Sequence, residues 1–274
     1  MKRKIKIIIL SILFIAACGT GINLFQDSDE VAMGMQFDEE IRKNEKDYPI
    51  YNDPELKKYV DERIFQEILK SPEIKKKSVY NYQLELIDDD SVLNAFAVPG
   101  GYVYLYTGLM KYLDSEAALA GVLGHEIAHA ERRHATQRIT AAYGIQIVAS
   151  LALGNNPSQI SVMAANLFGG LGLLANSRAN EDESDLYSIK YLQTTRYYPG
   201  SVKFFFEKLK DDGKVSSGGS GIQTFLSTHP EPIDRINTTN ERIKVLNLPI
   251  LTYKDDGIGI FRKEYNNKIK GRLK

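Results

Sequence analysis

The chain has 274 residues, 43% of them hydrophobic, which is enough for one large domain or two small ones with a real core. Its 35 Lys and Arg balance its 35 Asp and Glu, so there is no global basic field for nucleic acid, and no nucleic-acid-binding motif accompanies it. The single cysteine, Cys18, excludes internal disulfides and any cysteine-ligated zinc site.

The N-terminus reads as a targeting segment. Lys2, Arg3, Lys4 and Lys6 precede an apolar run from Ile7 to Ala17, broken only by Ser11, and Ile15-Ala16-Ala17 leads into Cys18. Small residues before a cysteine are the pattern of a bacterial lipoprotein signal, so residues 1–17 are expected to be a signal peptide and Cys18 the lipidated first residue of the mature chain. A short uncleaved anchor is the competing reading, but the run is too short to span a bilayer comfortably. Loss of the signal removes four positive charges and no negative ones, which leaves a mildly acidic chain. The expected location is the cell envelope, at the periplasmic face of the outer membrane if the source has two membranes. Residues 18–29 are small and polar and read as a tether.

Helices are expected over Glu30–Glu45 and Pro54–Lys70. In the second, Leu56, Tyr59, Val60, Ile64 and Ile68 recur at helical spacing and form a packing face. Val79 to Ile87 switches to period two, with Tyr80, Tyr82, Leu84 and Leu86 on one side, as in a half-buried strand. Asn94-Ala95-Phe96-Ala97-Val98-Pro99-Gly100-Gly101 follows, then a second strand, Tyr102–Tyr106. Pro99 cannot donate to a sheet ladder, so this stretch suits a sheet edge, which can hold a peptide as an added strand or form an ordinary hairpin.

Asp114 or Ser115 caps the next helix, expected to run to about Arg138. Its first half is apolar almost all round and should be buried, whereas Glu131, Arg132, Arg133, His134 and Arg138 indicate a solvated end. At its centre is His125-Glu126-Ile127-Ala128-His129. Residues four apart stack on one helix face, so the two imidazoles can reach one metal ion, and Glu126 can sit beside the metal's open position as a base. This is the two-histidine pattern of zinc proteases. The chain has only four histidines. His134 falls about half a turn from His125 on a straight helix and is not expected to bind the same metal.

A catalytic zinc takes three protein ligands and water. A third histidine after a Gly turn is excluded, because Arg132 and Ala135 occupy those places. The alternative is a carboxylate from a separate helix, and Ser177 to Asp185 offers Glu181 and Asp185, four apart on one face. Glu181 is the expected ligand, with Asp185 receiving a ligand imidazole's other N–H. Glu183 should point outward. The plain alternative is an acidic helix start that favours the dipole.

Ile139–Leu153 and Ile160–Ala175 read as a buried helical hairpin, or a shallow membrane-facing one. Pro199-Gly200 starts an amphipathic helix with Phe204, Phe205 and Leu209 inward. Gly213–Gly221 is a Ser/Gly-rich loop, a lid or an unremarkable connection. Glu231–Leu246 is a closing helix, and residues 249–274 form a basic tail, partly loose.

Taken together, these stretches resemble the zinc metallopeptidases of the CAAX prenyl protease and HtpX family, a gluzincin family, and within it the BepA- and LoiP-like bacterial lipoprotein peptidases. The likeness rests on Asn94–Gly101, on His125–His129 with His134, on Ser177–Asp185, and on Ser227-Thr228-His229-Pro230 with Arg235. It implies an α+β, mostly helical zincin-like domain over residues 30–248. It implies one zinc ion held by His125, His129 and Glu181, with Glu126 as catalytic base and Asp185 supporting the ligands. His229 would stabilise the oxyanion or occupy zinc's fourth position, or it only caps the next helix. Arg235 would contact substrate or the active site, and Asn94, Ala95, Phe96 and Ala97 would line the substrate strand. Ser184 stands where the family usually has Ala, and no long helical-repeat domain follows. The implied function is endoproteolysis of misfolded or stalled envelope proteins, outer-membrane barrels among them. The rivals are a latent envelope chaperone with zinc locked by His229, and a CAAX-type protease acting on lipidated peptides.

Overall fold

A computed structural model describes residues 23–142, 176–214, 225, 228, 229 and 232–273. The expected signal peptide, Cys18, most of the expected 139–175 hairpin and most of the Ser/Gly-rich loop lie outside these residues. Among the described residues no helix is long and apolar enough to cross a membrane.

Helix α1 spans Asp27–Lys43. It starts earlier than its apolar pattern suggests, because Gln26 and Asp29 form a reciprocal capping box. Phe25 is buried as well, so the stretch expected to be a tether is anchored to the domain there and joins the helix at Asp27. Helix α2, Pro54–Val60, opens with Asp53 accepting a hydrogen bond from Leu56 N and Pro54 in the first turn. It runs through a π-helical turn, Asp61–Phe65, into α3, Gln66–Leu69. Leu56, Val60, Ile64 and Ile68 of its predicted stripe are fully buried, and Tyr59 is half-buried.

The sheet contains β1 (Gln83–Ile87), β2 (Ala95–Val98) and β3 (Tyr102–Tyr106) in the order β1-β3-β2. Strand β3 runs parallel to β1 and antiparallel to β2. The β2–β3 turn needs positive φ at Gly100 (77°) and Gly101 (97°), a region that side chains rarely tolerate. Strand β1 is shorter than predicted and covered on both faces. Its Glu85 is buried and bonded to Arg42 of α1 and Lys57 of α2, at 2.9 and 2.8 Å.

After α4 (Thr107–Tyr112), Ser115 caps α5, Glu116–Glu131, by accepting from Ala118 N. Every residue of α5 is buried, including its end, where Glu131 accepts from Tyr82 Oη at 2.6 Å and from Lys75 N at 2.7 Å. The predicted solvated end is therefore corrected. So is the helix length. Arg133 adopts a left-handed conformation (φ 65°) that stops α5, and residues 134–142 form a separate helical run.

Helix α6, Arg178–Leu192, is capped by Ser177 and lies against α5. The approach is close enough that a Cβ on Gly124 would stand 2.8 Å from Ser188 Oγ, and Ser188 Oγ donates to Gly121 O at 2.9 Å. A 3-10 turn, Pro199–Lys203, leads into α7, Phe204–Asp211, and α8 spans Pro232–Val245. The last residues are not loose. Helix α9, Arg262–Tyr265, and the turn after it place Ile260, Tyr265, Ile269 and Leu273 in the core. Tyr265 is fully buried and donates to Met110 O at 2.6 Å. The compact unit thus continues past residue 248.

Tyr265→Ala is expected to lower the unfolding free energy by about 3–5 kcal/mol in urea denaturation. Ile258→Ala, on a side chain that is 98% exposed, should change it by less than about 0.5 kcal/mol.

Candidate metal centre

All four histidines of the chain gather around the junction of α5 and α6. His125 and His129 lie on one face of α5, as their spacing dictates, with Nε2 atoms 2.9 Å apart. Glu181, in the first turns of α6, reaches both: Oε2 is 3.3 Å from His125 Nε2 and Oε1 is 3.2 Å from His129 Nε2. The fourth group comes from just before α8. His229 Nδ1 lies 3.3 Å from His125 Nε2 and 3.0 Å from Glu181 Oε2. The four donor atoms all lie within 4.8 Å of one another and all four residues are buried.

A tetrahedral zinc with bonds of about 2.0–2.1 Å sets its ligand atoms roughly 3.3–3.4 Å apart. The closest approaches in five of the six residue pairs are 2.9–3.3 Å, with Glu181 Oε2 facing His125 and His229 and Oε1 facing His129. The donor set, three imidazoles and one carboxylate without sulfur, is also one that zinc accepts. The residues present therefore fit the ion.

The surrounding groups fix these donors. Asp185 Oδ1 lies 2.9 Å from His125 Nδ1, which leaves Nε2 facing the cluster. Arg235 donates to Asp185 Oδ2 at 2.7 Å and Oδ1 at 2.6 Å, and to Glu181 Oε2 at 2.7 Å. These bonds commit the buried guanidinium to the two carboxylates. Arg235 is not among the residues lining the cleft; of its two expected roles, contact with substrate or with the active site, these bonds show the second, a positioning role. His134 was set aside on the assumption of a straight helix. The break at Arg133 instead brings its Nδ1 to 2.9 Å from His129 Nδ1, while its Nε2 lies 2.9 Å from Glu183 Oε2. With His129 Nδ1–H donating, this chain holds the second imidazole as Asp185 holds the first. Burial pulls His134 down to about 4 despite Glu183, so it is neutral and can accept that bond.

Electrostatics separate the two central glutamates. Burial raises the Glu126 carboxyl. Burial acts on Glu181 in the same sense, but His229, Arg235 and His125 outweigh it and hold that carboxylate well below the usual range. Arg235 does the same for Asp185. Burial and Arg235 press His125 downward, while Glu181 and Asp185 lift it to about 9. Glu126 Oε1 has no hydrogen-bond partner among the described residues; His229 Nε2 lies 3.7 Å away, beyond hydrogen-bond reach.

A cleft opens beside Glu126 and His129. Asn94, Phe96, Ala97 and Val98 line one side, and Arg138, Asn176, Thr228 and His229 another. Strand β2 is at the edge of the sheet. Ala95 is the exception among the expected cleft residues: its methyl is fully buried in the core, while Ala97, on the same side of the strand, is half-buried and reaches the cleft. Phe225, which the sequence did not single out, stacks on His229 at 4.6 Å and 25° and accepts its N–H at 2.7 Å.

Residues 54–243 match peptidase family M48. The chain belongs to that family. This M48 chain is 29% identical over 236 residues to the beta-barrel assembly-enhancing protease of Escherichia coli strain K12, a match covering 83% of the chain and 46% of that protein. It is 29% identical over 224 residues to the Yersinia pestis protease of the same name, covering 78% of the chain and 43% of that protein. Similarity to the mitochondrial metalloendopeptidase OMA1 of Arabidopsis thaliana is 35% over 147 residues, 53% of the chain and 28% of that protein. The chain thus spans less than half the length of these relatives.

Asp185→Asn and His134→Ala are each expected to weaken zinc binding by about 10–100-fold in competition titrations with a chelator. Unchanged affinity in both would remove the positioning roles assigned above.

Proposed function

We propose that this chain is a zinc-dependent endopeptidase of the bacterial cell envelope. The carrying observation is the buried set of His125, His129, Glu181 and His229 donors beside the half-free Glu126 carboxyl, in a cleft bounded by an edge strand. When bound there, zinc polarises a carbonyl and lowers the pKa of water to about 7. Glu126, raised by burial, takes the proton of the attacking water and passes it to the leaving amine. The outer edge of β2 aligns the substrate backbone as an added strand, with Asn94, Phe96 and Ala97 beside it.

His229 takes two roles in this reading. Its Nδ1 closes the donor tetrahedron, the arrangement of a latent enzyme. Swung aside, it frees a position for water, and its imidazole becomes available to the oxyanion. The same observation favours the second reading, an envelope chaperone or assembly factor with little proteolysis. The relatives' name, beta-barrel assembly-enhancing protease, supports misfolded or stalled envelope proteins as substrates, and the Lys-rich start leading to Cys18 supports anchoring by lipid.

The test is cleavage of an unfolded protein by wild type, Glu126→Gln and His229→Ala, with bound zinc quantified in each. Wild type or His229→Ala should cut, and zinc-loaded Glu126→Gln should be slower by about 10²-fold or more. Removal of zinc by a chelator should abolish cleavage, and re-addition should restore it. If zinc-loaded wild type and His229→Ala both leave every unfolded substrate intact, the chaperone reading replaces the peptidase one.

A further inference from the structure

Three buried side-chain atoms with no hydrogen-bond partner among the described residues belong to residues lining the cleft: Glu126 Oε1, Asn94 Oδ1 and Arg138 Nε. The first belongs to the chemistry above. Asn94 is neutral. Arg138 is different, because it carries a charge. The two other arginines near the site are compensated: Arg235 by Glu181 and Asp185, and Arg133 by Glu30, whose Oε1 accepts at 2.7 Å. Arg138 forms no ion pair among the described residues. Its Nη1 donates only to the neutral Asn176 Oδ1, and Asn176 is itself held by donating to Thr228 O at 3.1 Å. Asn176 thereby fixes one corner of the guanidinium and leaves the Nε side open.

Arg138 is half-buried as a residue but its Nε is out of contact with water, and a buried donor on a cation without an anion is costly. Burial draws Arg138 down to about 10, against the pull of Glu181 and Glu126, so it is still cationic at neutral pH. Its open Nε side presents parallel N–H donors, the fork that matches a carboxylate. We infer that Arg138, oriented by Asn176, recognises a carboxylate of the bound peptide and sets the substrate preference of this cleft. The carboxylate comes either from an acidic side chain near the scissile bond or from a free C-terminus. The inference rests on the peptidase reading only in taking the cleft's occupant to be a peptide.

The test uses the whole chain and one family of labelled peptides. The parent is neutral and C-terminally amidated. One arm places Glu at each of the four positions flanking the scissile bond, and the other restores the free carboxylate. Binding is measured by fluorescence anisotropy in a Glu126→Gln background and cleavage by kcat/KM in wild type. At least one anionic arm should exceed the neutral parent, and the anionic-to-neutral ratio should fall by about 30-fold or more in Arg138→Gln. Arg138→Lys, which keeps the charge and loses the fork, should retain part of the ratio and shows that the fold is intact. Which arm responds identifies the source of the carboxylate. A ratio unchanged by Arg138→Gln, including an equal loss on all peptides, would overturn the inference. Anion-dependent binding that is lost in Arg138→Gln, without cleavage of any peptide, would support the inference and count against the peptidase reading.

Discussion

Two helices pressed together without an intervening layer of side chains bring a carboxylate on one against two imidazoles on the other, and everything at the site depends on that meeting. Gly124 makes the approach possible, since a side chain there would strike Ser188 of α6, and Gly121 likewise makes room for the Ser201–Val202 backbone of the 3-10 turn. The result is a concentration of buried charge. Glu126, Glu181 and Asp185 are all buried, and the arginine bonded to them there is Arg235, which reaches only the latter two. With Arg138 as the other guanidinium near them, bonded to none of the three, these carboxylates are incompletely compensated in a low-dielectric interior, and a bound dication would restore the balance.

Much of this was legible because it depends on local periodicity. His125 with His129 and Glu181 with Asp185 are both i, i+4 pairs, and a helix places such pairs on one face whatever its surroundings. The edge position of β2 followed from Pro99 and the two glycines. His134 was misplaced because the argument needed a straight helix, and the left-handed turn at Arg133 falls on a residue with no sign of it in the sequence. The tail carried a signal that went unread: Tyr265, Ile269 and Leu273 repeat every four residues and are all buried, but the basic residues between them dominate the composition. The burial of Ala95 is not legible from alternation, because Ala97 lies on the same side of the strand and still lines the cleft. The role of Arg235 could not be read at all, since both its partners are about 50 residues away in the chain.

Each imidazole that α5 contributes to the donor cluster is held from behind by a different device. His125 has Asp185, itself clamped by Arg235. His129 has His134 and, through it, Glu183. The helical break that permits the second device also turns Arg133 back onto Glu30 of α1, which in addition accepts from Tyr80 Oη at 2.6 Å and from Thr136 Oγ1. The same backbone conformation therefore orients a metal-facing histidine, anchors the N-terminal helix and begins the helical run that carries Arg138 to the cleft. Disturbance of any of these contacts should be felt at the others.

The claim on which the rest stands is that these four residues hold zinc. X-ray absorption at the zinc edge of the purified chain tests it most directly. The account predicts one zinc per chain with nitrogen and oxygen neighbours at about 2.0–2.1 Å, no sulfur, and an imidazole scattering signature that weakens in His229→Ala. A chain that binds no zinc, or one whose zinc environment is unchanged by His125→Ala and Glu181→Ala, would contradict it.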